Sequence, residues 1–291
     1  IELETAYAQI QDNGQENMVL CCDFLSRRLS LCADVEQRYT FEQRYQAILR
    51  HHNIAWVNIW SATCAYYYAL QREEKKIPEI FRTHHLTAVN ILAPGKPMME
   101  MIENQVYLAQ GAYAKVIGRS EGLLVMCEGL HYALVALHLR IQTAVAYEML
   151  GKEPDAQALL EQALRDAIPD DFLLPFVENY HYLKRLLKNG VGQYKTFIQR
   201  IVQLGEKFEL RQRHLCEQAV RPTAFAVLNE REYEIVGLMA ERLSNREIAE
   251  KLFLSEGSIK QYINQIYSKL HIDGDTRTKR QQLLSLLNAN S

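Results

Sequence analysis

The 291-residue chain is predicted to be all-α: an α-solenoid of stacked helix pairs followed by a compact four-helix module. Three observations carry this expectation. Apolar residues recur at spacings of three and four, as in residues 135–150 (VALHLRIQTAVAYEML) and 155–168 (DAQALLEQALRDAI), and no convincing alternating strand pattern is present. Tyr67, Tyr107 and Tyr147 are separated by 40 residues each, with Gly111 and Gly151 at equivalent places where one helix ends. From Leu228 the pattern changes to four short helices with polar caps.

Helices are expected near residues 15–31, 40–51, 54–71, 74–86, 98–110, 113–128, 131–150, 153–168, 172–188 and 193–211. Ala, Leu, Glu and Gln supply the propensity, and Pro78, Pro94, Pro97, Pro154, Pro169 and Pro175 sit mostly at starts or breaks. A helix pair cannot bury its apolar face alone, so neighbouring pairs must stack. The phrase YEMLGKEPDAQALLEQAL, with Ala156 and Ala163 where two helices approach, resembles a tetratricopeptide repeat. The other repeats are degenerate, so the array is described as tetratricopeptide-like. Pro222 marks a linker before the last module. The expected division is a helical-repeat sensor or scaffold over 1–215, a linker over 216–225 and a terminal four-helix domain over 226–291.

Composition narrows the function. With 48% hydrophobic and 23% charged residues the chain is a folded globular type, not a disordered one. No apolar run approaches the roughly 20 residues needed to cross a bilayer, and no signal peptide is visible, so a cytoplasmic protein is expected. The chain begins at Ile1, which suggests a fragment or a trimmed chain. Cys21, Cys22, Cys32, Cys64, Cys127 and Cys216 form no CxxC pair and read as buried free thiols. The net charge of −2 gives nucleic acid no support, so a DNA reading depends on where the basic residues lie. His51-His52 and His84-His85 point about 100° apart on a helix, and no HExxH accompanies them, so no metal is expected. With no G-x-S-x-G and no coherent nucleophile–base set, the chain is expected not to be an enzyme, and no cofactor is assigned to it.

In the last module, Asn229 can cap a first helix whose core candidates are Tyr233, Val236, Leu238 and Met239. Ser244 or Asn245 can cap a second, NREIAEKL. Residues 253–255 form a tight turn, and Ser255 caps a third, EGSIKQYINQIYSKL; a fourth, TRTKRQQLLSLL, follows. In a helix-turn-helix the second helix of the pair enters the major groove, which here is the third helix. Ile259, Ile263, Ile266 and Leu270 should face the core, leaving Ser258, Lys260, Gln261, Asn264 and Ser268 opposite. Lys pairs with guanine acceptors or phosphate, and Gln and Asn pair bidentately with adenine. The same stripe also fits an ordinary solvated face.

The whole module resembles the LuxR-type helix-turn-helix family of bacterial transcription regulators. The matching runs are L-x-x-R-E-x-E-I, then L-S-N-R-E-I-A-x-x-L-x-L-S, then S-I-K-x-Y-I-x-x-I-Y-x-K-L. The resemblance implies base contacts from Lys260, Gln261 and Asn264. It implies phosphate contacts from Ser258, Tyr262 and Lys269, and a structural role for Glu247. It also implies a two-fold contact through the fourth helix (Leu283, Leu284, Leu287), although these leucines also suit the module's own core. Two departures stand out: Arg242 replaces the glycine usual between the first two helices, and the loop 273–276 with Lys279-Arg280 differs from the usual start of the fourth.

No receiver-like strand pattern precedes the module. The array, with LGKEPDAQALLEQALRDAIPDDFLLPFVEN at its end, resembles the large ATP-binding LuxR regulators typified by the maltose-regulon activator. In that branch a P-loop ATPase precedes the repeats. This chain has no G-x-x-x-x-G-K-[ST], so the resemblance implies the carboxy-terminal part of such a regulator or a shortened relative. The expected partners are double-stranded DNA, a second copy of the chain on DNA, a small-molecule or protein effector on the repeats, and RNA polymerase; no membrane is expected. Tyr66, Tyr67, Tyr68, Tyr107, Tyr113, His131, Tyr132, His138, Arg140 and Tyr147 could line an effector pocket, but helical spacing also makes them core candidates. The rival reading is a helical-repeat adaptor whose terminal module does not read DNA sequence.

Overall fold

The computed structural model describes residues 2–11, 15–33, 35, 37–86, 95–188, 194–219, 225, 227–252 and 254–288. It divides into two compact units, Ile1–Arg213 and His214–Ser291. Every regular element among the described residues is helical. The protein is all-α, a helical-repeat region followed by a four-helix unit.

The first unit opens with α1 (Glu2–Gln11), α2 (Glu16–Ser30), α3 (Phe41–Leu49) and α4 (Ile54–Leu70). A short α5 (Glu79–Arg82) precedes α6 (Lys96–Ala109), α7 (Tyr113–Gly129), α8 (Ala133–Met149) and α9 (Glu153–Ala167). Then come α10 (Leu174–Glu178), α11 (Tyr180–Lys188) and α12 (Lys195–Ala219). Consecutive helices α6 to α9 pack as hairpins, and α8 also packs on α6 and α11. The turns repeat with them: Gly111, His131, Gly151 and Asp171 all have positive φ (72°, 55°, 72° and 56°). One left-handed residue thus closes each 20-residue helix-and-turn, and two such steps give the 40-residue period. Gly111 and Gly151 adopt this conformation without the steric cost that a Cβ brings. Ala156 and Ala163 are fully buried in the main core beside Ala144 and Ala146, where α8 and α9 come close.

The expected boundaries differ in four places. Nothing in the periodicity anticipated α1. The helix expected at 74–86 is broken, because Pro78 keeps Ile77 extended (φ −66°, ψ 128°) and splits off a 3₁₀ turn at Glu74–Lys76. The helix expected at 172–188 is two helices, interrupted at the buried Asn179, whose side chain bonds the Pro175 carbonyl and receives Gln105. The helix expected to end at 211 runs on to Ala219, into the segment read as a linker. Pro222 lies outside the described residues.

A buried polar network closes the first unit. The Arg28 guanidinium on α2 holds the Glu178 carboxylate on α10 through Nε at 2.6 Å and Nη2 at 2.9 Å. The Tyr66 hydroxyl on α4 donates to the same carboxylate at 2.9 Å. His138 on α8 lies 3.2 Å from Arg28 and is kept neutral by burial and by that cation. Its Nε2 must therefore accept from Arg28. Next to it, Gln142 donates to the Gln105 side chain and to the Met101 carbonyl, and Gln105 donates to Asn179. Side chains from α2, α4, α6 and α8 thus converge on the end of α10. From α12, Arg211 and Gln212 bond the carbonyls of Ser30 and Leu70 at the ends of α2 and α4.

In the second unit, α13 (Glu230–Ala240), α14 (Asn245–Leu252), α15 (Glu256–Lys269) and α16 (Thr276–Asn288) surround one core. Val236, Leu238 and Met239 are buried in it, as is Ile235, and Tyr233 packs at its edge. Between α13 and α14, Arg242 has φ 64°. This left-handed position explains why a glycine suits the site. An L side chain there costs about 1 kcal/mol, so Arg242→Gly is expected to stabilise the unit by about 0.5–1 kcal/mol. A raised urea midpoint for this unit, followed by circular dichroism, is the check; an unchanged or lowered one contradicts it.

Candidate nucleic-acid interface

The helix expected to meet DNA, α15, is held at both ends. Ser255 caps it, its hydroxyl accepting from the Ser258 N–H at 3.0 Å. Ile259, Ile263, Ile266 and Tyr267 bury its inner face, with Leu270 packed at the edge. Its outer face carries Lys260, Gln261 and Asn264, all exposed, with Gln265 and Ser268 beside them. Lys260 Nζ lies 3.0 Å from Glu256 one turn earlier. An exposed pair of this kind contributes only tenths of a kcal/mol, so the ammonium can exchange it for a nucleic-acid acceptor at little cost.

The three residues linked to backbone contact differ among themselves. Ser258 is half-buried, its hydroxyl 2.8 Å from that of Ser255. Tyr262 is half-buried and packs against the unit's core. Lys269 Nζ sits 2.8 Å from both carboxylate oxygens of Glu232. It therefore ties the end of α15 to the start of α13.

Glu232 is a structural centre that the spacing did not reveal. It is 1% exposed, and it completes a capping box with Asn229, accepting the Asn229 N–H at 2.8 Å. Burial alone would raise its pKa, but the bonds from Lys269 and Asn229 prevail and hold it below its ordinary value. Glu232→Ala is expected to cost the unit about 2–3 kcal/mol through loss of the cap and of a charge-assisted bond. Because the folded carboxyl is the stronger acid, its contribution is complete above the ordinary Glu pKa and fades as pH falls through the depressed one. Urea unfolding at neutral pH and in acid should show parent and variant converging in acid. A constant difference contradicts the assignment.

In α14 the second cap is built by Ser244 and Glu247: the carboxylate takes the Ser244 N–H and O–H, each at 2.7 Å, and those bonds lower its pKa. Leu254 N–H returns to the Ala249 carbonyl at 2.9 Å, closing the turn into α15; Phe253 lies outside the described residues. On α16, Leu283 is fully buried in the unit's own core. Leu284 is half-buried, and the Leu287 side chain lies outside the described residues. Arg280 bonds the Met239 and Leu243 carbonyls at 3.2 and 2.9 Å. Arg280, one of the unusual basic pair near the start of the fourth helix, therefore holds α16 against the end of α13. A cationic side chain placed to reach helix-end carbonyls was the available signal.

Two helices joined by a tight turn, the second showing Lys, Gln and Asn to solvent above a buried isoleucine stripe, form a helix-turn-helix DNA-binding module. Residues 226–280 match the family described as bacterial regulatory proteins, luxR family, GerE. The carboxy-terminal unit is thus a LuxR-family helix-turn-helix domain. Similar proteins include the transcriptional regulatory protein LnrK of Bacillus subtilis (strain 168), 39% identical over 57 residues. That match covers 20% of this chain and 26% of LnrK. The nitrate/nitrite response regulator protein NarP of Escherichia coli (strain K12) is 33% identical over 110 residues, covering 38% of this chain and 47% of NarP. The chain thus spans from a quarter to about half the length of these relatives. No solved structure matches it significantly. No helix among the described residues is long and apolar enough to cross a membrane.

Proposed function

We propose that the chain is a cytoplasmic, sequence-specific bacterial transcription regulator, and that its helical-repeat unit receives the signal controlling the DNA-binding domain. The observation that carries this reading is the exposed Lys260–Gln261–Asn264 face of α15 in a LuxR-family domain. These three side chains contact base edges, and Ser258, Tyr262 and Lys269 contact phosphates. Lys269 does so by leaving Glu232. Two copies meet on adjacent half-sites through α16. Leu284 and Leu287 are assigned to that contact, while the Leu283 side chain serves the internal core. Signal binding shifts the population towards the arrangement in which two domains dock together. RNA polymerase is the downstream partner. The helical repeats support assigning the chain to the large ATP-binding LuxR regulators.

Basic and acidic residues balance over 226–291, which is the one observation favouring the adaptor reading. Selection of DNA from a random pool separates the two. A regulator enriches one operator and binds it with a steep salt dependence, log affinity falling with log salt by about 0.9 per phosphate neutralised on each chain. Failure to enrich any sequence, with no salt dependence, supports the adaptor instead.

A further inference from the structure

A cleft of about 730 Å³ opens in the first unit between α7 and α9, floored by α8. Its size lies within the range of small-molecule sites. Its floor is one face of α8: Ala133, Ala136, Leu137, Arg140, Thr143 and Tyr147 recur at spacings of three and four. The two alanines deepen it. Large apolar side chains lie open to it, with Val125 63%, Leu134 44% and Phe172 41% exposed.

The charged lining is predominantly acidic. Glu121 and Glu128 stand on the α7 wall, and Asp166 and Asp170 on the opposite side. Arg140 is held by Asp166 at 2.8 Å, and among the described residues His131 is the one other basic group lining the cleft. Among the described residues, Glu121, Glu128 and Asp170 have no ion pair. The aromatic lining suits the same occupant: Tyr132, Tyr147 and Phe172 line the cleft, and Tyr147 already has the Lys152 ammonium 5.7 Å from its ring centre. Ring faces and carboxylates both attract positive charge, and the open apolar surface needs a hydrophobic body to cover it.

We propose that this cleft binds a small organic cation with an apolar body. The consequence at DNA rests on the signal-receiving role proposed above; the binding itself does not. Tetraphenylphosphonium is the probe, titrated calorimetrically into the full chain. Tetraphenylborate has the same shape with the opposite charge, and spermidine has the charge without the apolar body. One tetraphenylphosphonium per chain is expected to bind at least about tenfold more tightly than either control. Glu128→Gln with Asp170→Asn should weaken it about tenfold. Leu134→Arg should abolish binding by supplying a cation inside the cleft. All three positions are exposed, and the folded state is checked by circular dichroism.

No binding, equal binding of the borate, or binding unaffected by the variants overturns the site. Capture of an amphipathic Leu/Lys peptide with no response to tetraphenylphosphonium also overturns it, making the cleft a helix-docking surface. Operator affinity is read in the same samples. Binding that leaves it unchanged keeps the site and removes the signalling role, whereas failure to bind the cation leaves the DNA reading untouched.

Discussion

Replacing Glu178 by Ala is expected to cost the helical-repeat unit on the order of 3–5 kcal/mol. The reason is what the truncation leaves behind. Arg28 is 6% exposed and makes two bonds to Glu178. Without that carboxylate a buried guanidinium keeps the neutral His138 and the rings of Phe24 and Tyr66 beside it but no anion, and the Tyr66 hydroxyl loses its acceptor. The ion pair itself need not be a large net stabiliser, since burial penalises both charges before their attraction offsets it. Arg28→Met combined with Glu178→Leu should therefore recover most of the loss. A residue of about 1–2 kcal/mol should remain for the unpaired Tyr66 and His138 groups. The protein supplies its own probe: both tryptophans, Trp56 and Trp60, lie in the first unit, so their fluorescence in urea reports that unit alone. If Glu178→Ala shifts the midpoint no more than a surface change does, the network does not close the unit as described.

That network also shows what the sequence could not convey. Helix periodicity is local, and it located most helices because each apolar stripe lies within one turn of its neighbours. Arg28 and Glu178 are 150 residues apart, on segments that read separately as ordinary amphipathic helices. No spacing rule joins them. Tyr66 and His138, considered as pocket residues, are instead buried partners of that pair, and Tyr107 stacks on His84 at 3.7 Å. Of the same group of side chains, His131, Tyr132, Arg140 and Tyr147 do line an open cleft. What distinguishes the two sets is which neighbouring helix covers them, a tertiary fact.

In the second unit more was legible, because a four-helix module this short fixes its caps and core by local rules. Asn229, Ser244 and Ser255 cap as expected, and the isoleucines of α15 turn inward. The ties between helices were not legible. Glu232 to Lys269 and Arg280 to the end of α13 each need two segments folded together before either partner is defined.

The second large effect concerns discrimination between DNA sequences. Lys260→Ala and Asn264→Ala remove exposed side chains and should leave the fold intact, since neither enters the core. Each bidentate base contact is worth about 1–3 kcal/mol of discrimination, so each loss should relax specificity about 10- to 100-fold. A phosphate contact behaves differently. Lys269→Ala, at the proposed phosphate contact, should weaken all sequences alike and reduce the salt slope by about one, with an added stability cost because Glu232 then loses its cationic partner.

The most direct measurement is the ratio of affinities for the selected operator and for scrambled DNA of equal length, compared between the parent and the Lys260→Ala, Asn264→Ala double variant at one salt concentration. If α15 reads bases, the parent ratio is about 10³ or greater, and it falls at least about 100-fold in the double variant while affinity for scrambled DNA changes little. A ratio that survives both substitutions in a folded protein contradicts the assignment of base reading to this face.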